Sequence, residues 1–60
     1  MKYEVIKKEY VIETLGKGNT VIACDFDTMR MVNCENMTIN AIKSFIARDN
    51  TVFYKGIANG

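Results

Sequence analysis

The sequence predicts a small α+β fold, a two-layer sandwich in the order β-β-β-α-β, with one helix over about residues 38–48 on a mostly antiparallel four-stranded sheet. Three observations predict it. Thr38–Arg48 carries the one clear helical period, with Ile39, Ile42 and Ile46 at i, i+3 and i+7 and with Ala41 and Phe45 widening the stripe. The apolar runs on either side are rich in Val, Ile, Tyr and Thr, which suit a pleated, half-buried surface. Leu15-Gly16-Lys17-Gly18-Asn19 sets two glycines and an asparagine between two such runs, the chemistry of a tight turn.

Taken in order, Tyr3–Thr14 reads as a long first strand whose alternation changes phase. Tyr3 and Val5 stand on odd positions and Ile6, Tyr10 and Ile12 on even ones, so a bulge is expected near Lys7-Lys8. The rival is a helix using Tyr3, Ile6 and Tyr10, which the β-branched content disfavours. The Gly16–Asn19 stretch should then close a hairpin onto Thr20–Phe26, with Ile22, Cys24 and Phe26 on one face and Val21, Ala23 and Asp25 on the other.

Asp27-Thr28 makes a turn into a shorter third strand, Met29–Cys34, and Glu35-Asn36-Met37 leads to the helix. Thr38 is its expected N-cap, because its hydroxyl accepts from a free N–H of the first turn. Asp49-Asn50 is the expected stop, since Asn tolerates the left-handed backbone that ends helices. A helix this short is marginal alone in water and forms only if a sheet covers its stripe. Thr51–Ile57 is the last strand, expected to lie beside the first and to run parallel to the first and third, and Ala58-Asn59-Gly60 should fray. The open face of the sheet is then either wet or paired with a copy.

At 60 residues the chain is expected to be a single domain, 1–60, with slim stability, because so short a chain buries a small share of its surface. Its 48% hydrophobic content is more than one short helix can cover, so part of the apolar surface is expected to be interface. A homodimer is the expected assembly; the alternative is a monomer exposing scattered hydrophobes, as small proteins do. The net charge of +1, with signs mixed along the chain, gives no long-range field to draw a nucleic acid or an anionic membrane. The charged N-terminal MKYEVIKKEY is unlike a targeting peptide, and no apolar run reaches spanning length. A cytoplasmic protein is expected, with Cys24 and Cys34 as reduced thiols. If the second turn centres near Met29, those thiols face each other and can pair under oxidation.

Val21-Ile22-Ala23-Cys24-Asp25-Phe26-Asp27-Thr28 resembles the first motif of the haloacid-dehalogenase-like phosphatases, an apolar strand ending in Asp-x-Asp-Gly-Thr. The resemblance implies Asp25 as nucleophile and Asp27 as general acid. The motif's glycine is missing, however, and 60 residues cannot build the parallel sheet that delivers that family's lysine and second acidic pair. The structural alternative puts Asp25 in solvent on a half-buried strand and lets Asp27 open a turn through its side chain. Gly16-Lys17-Gly18 lacks the full pattern and the following helix of a phosphate cradle. The absence of histidine removes the usual general base for Ser44 or the cysteines and every Cys/His zinc set, so no catalytic, cofactor or metal residues are assigned.

The expected function is therefore a non-enzymatic protein-binding module that inhibits or modulates a partner by steric occupation. In size and composition it resembles the small accessory proteins of phages and other mobile elements, which would place it in a host cytoplasm against a host protein. The expected contact residues are Tyr3, Tyr10, Met29, Met31, Phe53 and Tyr54. Phe53 and Tyr54 point to opposite faces, so one of them should serve the core against Ile42 and Ile46. The alternative is a small nucleic-acid-binding regulator using Lys and Arg with Tyr and Phe as stacking surfaces on the sheet.

Overall fold

A computed structural model describes residues 2–57; the fraying expected at Ala58-Asn59-Gly60 lies outside them. The described residues form the small α+β fold that the pattern predicts, one open four-stranded sheet with its helices on one side, but with a second helix. The elements are β1 (Lys2–Ile6), α1 (Val11–Gly16, entered through a 3₁₀ turn at Lys8–Tyr10), β2 (Val21–Asp25), β3 (Arg30–Asn33), α2 (Ile39–Ile46) and β4 (Thr51–Ile57). The sheet order is β1-β4-β2-β3, and every neighbouring pair is antiparallel.

The expected first strand is two elements. The change of phase near Lys7-Lys8 marks the end of β1 and the start of helix, with no bulge. Val11 and Leu15 stand at i, i+4 and turn one stripe inward, Val11 fully buried and Leu15 packed against the core. Burial of that stripe outweighs the strand preference of Val and Ile. Gly16–Asn19 is correspondingly a helix terminus and closes no hairpin. Gly18 takes φ +83°, its N–H donates to the Leu15 carbonyl at 3.0 Å, and the Asn19 N–H donates to the Thr14 carbonyl at 3.3 Å. These are the paired 5→2 and 6→1 bonds of a Schellman cap. Glu13 and Lys17 add an exposed i, i+4 ion pair at 3.6 Å.

With a helix between them, β1 and β2 run in the same direction and β4 slots between them, antiparallel to both. The last strand thus lies beside the first, as expected, yet runs opposite to it. It does share the direction of β3, since both oppose β2. Each helix therefore links two like-directed strands across one intervening strand, a split β-α-β unit used twice.

α2 begins on its expected cap, with the Thr38 Oγ1 accepting from the Ala41 N–H at 3.2 Å. Of its isoleucine stripe, Ile42 is buried and Ile46 packs on the core, whereas Ile39 in the first turn is exposed. The core beneath is Val11, Val21, Ala23, Cys34, Ile42 and Phe53, with Ile6, Met37 and Phe45 around it.

Candidate interaction surface

The register sorts the strand side chains into two sets, because residues directly opposite one another share a face. Ile6, Phe53, Ala23 and Val32 lie in one row under the helices, and Val5, Tyr54, Ile22 and Asn33 in the next row on the open side. Continuing the alternation puts Lys2, Glu4, Asp25, Arg30 and Lys55 on the helix side as well. The open side receives Tyr3, Val5, Ile22, Cys24, Met31, Val52 and Tyr54, with Phe26 following at the end of β2. Every charged side chain of the described strands is thus on the covered side. An antiparallel sheet with one free face ordinarily wets that face with polar residues, and here the free face receives none of the strands' charges.

The reason lies in how the helix side handles its charges. Asp25 is buried at the end of β2 and receives Nη1 of Arg48 at 2.6 Å on Oδ2 and the Asp27 N–H at 3.0 Å on Oδ1. Arg48 also lies over the Phe45 ring, 5.3 Å from its centroid, and its carbonyl accepts from Nζ of Lys8. Glu4 and Lys55 pair at 3.5 Å toward the other end of the sheet. With these charges paired on the helix side, the alternation of the strands leaves apolar side chains for the opposite side.

The open face forms a shallow groove of about 600 Å³, lined mainly by Tyr3, Ile22, Cys24, Phe26, Met31 and Tyr54. Tyr3, Tyr54 and Met31, all expected contact residues, are brought together on it. Met29 is 74% exposed in the β2–β3 loop, where it holds the left-handed φ of 56°. Tyr10 is exposed in the turn before α1 and does not line the groove. Phe53 belongs to the core and is withdrawn from the contact set: opposite Ala23 and Ile6 it is fully buried, and Tyr54 is its open-face neighbour. Sequence reasoning missed Val5, Ile22, Cys24, Phe26 and Val52. Their alternation was visible; which face a helix would cover was not.

The thiols separate along the same division. Cys24 is half-buried on the open face and Cys34 buried in the core, so the pairing considered across β2 and β3 does not form; the register sets Met31, and not Cys34, opposite Cys24. Burial pushes the Cys34 thiol above its ordinary value of 9.0, partly offset by a hydrogen bond with the Ala23 backbone.

Asp25 does not point to solvent, and both its oxygens are engaged. Asp27 accepts from Nδ2 of Asn50 at 2.7 Å, tying the β2–β3 loop to the turn before β4. Among the described residues no three Cys, Asp or Glu side chains converge as metal ligands, and no helix is long and apolar enough to cross a membrane. No protein-family model matches the chain, and neither a curated protein nor a solved structure matches it. The class that fold and surface define is a small α+β domain whose open sheet face receives no charged strand residue.

Proposed function

We propose that this chain is a non-enzymatic protein-binding module that acts by occupying a surface of another protein, with the open face of its sheet as the contact. The observation that carries the reading is the charge segregation: Lys2, Glu4, Asp25, Arg30 and Lys55 all lie on the helix side, leaving a free face of Tyr, Ile, Val, Met, Phe and Cys with the uncharged Asn33. An apolar area of this kind on a small domain marks a place where water is displaced by a partner. Its likeness in size and composition to phage and mobile-element accessory proteins makes a host protein, met in the host cytoplasm, the proposed target.

Tyr3, Tyr54 and Phe26 would also serve as stacking platforms for a single-stranded nucleic acid. Such binding draws most of its strength from phosphate contacts, and the strand cations face away from those rings. The protein reading is therefore preferred. The test is affinity capture from host lysate with the wild-type chain and with Met31→Lys, whose position is 70% exposed and free of the core. A protein held stoichiometrically by the first and released by the second supports the proposal. Retention on labelled single-stranded DNA with a steep salt dependence would replace it.

A further inference from the structure

We infer that the open face is the contact between two copies of this chain, packed sheet to sheet about a two-fold axis. The inference rests on the reading of that face as a protein contact and makes a second copy its resting occupant, which a target protein displaces. Charge complementarity is the first argument. A face whose strands place no ionised side chain on it, with the Glu35 carboxylate at its rim on the Thr20 hydroxyl, is matched at small desolvation cost by another such face, and a second copy supplies one of the same outline. The net charge of +1 opposes that approach very little.

Area is the second argument. Four strands about 4.8 Å apart and five residues long make a face of roughly 300 Å² in plan, and two such faces with interleaved side chains bury on the order of 1,000 Å². That sits at the lower bound for a specific interface, the size class of reversible contacts. The third argument is the small core: among the described residues only six hydrophobic ones are buried, while Tyr3, Val5, Phe26 and Met31 are left exposed on one side.

The centre of the face lies between β4 and β2, where Ile22 opposes Tyr54 and Cys24 opposes Val52. An axis through that centre brings the Cys24 residues of both copies near one another. Packed sheets stand about 10 Å apart, beyond the Cα separation of about 4.4–6.8 Å that a disulfide needs. A short bismaleimide, and not direct oxidation, is therefore the reagent that should join Cys24 to its copy, with buried Cys34 as the unreactive reference.

The test is sedimentation velocity from about 1 μM to about 1 mM. The expected result is a reversible monomer–dimer equilibrium, with bismaleimide-linked dimer formed through Cys24 in proportion to the dimer population. Val5→Lys and Met31→Lys, each at an exposed face position away from the core, should raise the dissociation constant at least tenfold, because the two-fold places each new charge in the interface twice. Ile39→Lys, exposed on the helix layer, should leave it unchanged. A monomer throughout the range, or a dimer broken by Ile39→Lys and indifferent to the face variants, overturns the inference. A monomer that still captures a lysate protein lost on Met31→Lys overturns the second copy and leaves the proposed function standing. A face-dependent dimer that captures nothing does the reverse.

Discussion

Nη1 of Arg48 reaches Oδ2 of Asp25 at 2.6 Å, joining the segment after α2 to the end of β2. The two partners stand in unequal surroundings: the arginine side chain is 57% exposed and the aspartate 4%. Removing the arginine strands a buried carboxylate, whereas neutralising the aspartate frees a cation that water can solvate. Arg48→Met should therefore cost about 2 kcal/mol, less than a fully buried pair because the cation already sits largely in water. Asp25→Asn, which keeps the acceptor for the Asp27 N–H, should cost about 1 kcal/mol. Once Asp25→Asn is in place, adding Arg48→Met should cost under about 0.5 kcal/mol. Urea denaturation of the four proteins checks the order.

Two glycines near the end of α1 should respond with opposite signs. Gly16 is helical with open space about the position of a Cβ, so Gly16→Ala should stabilise by roughly 0.5–1 kcal/mol. Gly18 holds φ +83°, and Gly18→Ala should destabilise by about 1 kcal/mol through left-handed strain, although space is free there too. Thermal melts separate the two, and a loss from Gly16→Ala would contradict the helix cap.

Thr51 is buried beside Asp25 with its Oγ1 unpaired. Thr51→Val keeps the branched shape and removes an acceptor and donor that burial strips of water. A gain of about 1 kcal/mol is expected, read as a higher denaturation midpoint at constant slope.

Cys34 should react with Ellman's reagent only on unfolding, while Cys24 reacts in the native protein. Because the folded state holds the Cys34 thiol above its ordinary 9.0, its stabilising effect is full below that pH and is lost as pH rises through the folded value. Stability measured between pH 7 and pH 10 should therefore fall less steeply in Cys34→Ala than in the wild type. Equal slopes would remove the thiol from the alkaline loss.

The sequence made α2, its Thr38 cap, β4 and the two faces of β2 legible, because each rests on a spacing or a side-chain bond local to the chain. It did not make α1 legible. Val11 and Leu15 show helical spacing only once Tyr10 and Ile12 are allowed to face water, and that depends on what the sheet supplies elsewhere. Asp25 misled in the same way. A carboxylate normally marks the wet side of a strand, and the cation that permits its burial is far along the chain in Arg48. With Asp25 assigned to solvent, Ile22, Cys24 and Phe26 would fall toward the core, which hides the open face until the register is known.

β4 is flanked by β1 on one side and by β2 on the other, and β1 touches the sheet through β4 alone. Of the described strands, then, the one that knits the sheet is the last to be made. Among the described strands the β2–β3 hairpin is the one pairing that can form before it emerges, and β1 must wait unpaired for a partner almost the whole chain away. Nascent chains halted before Thr51 should accordingly be substrates for proteases and chaperones, and this domain acquires its shape only once β4 has cleared the ribosome.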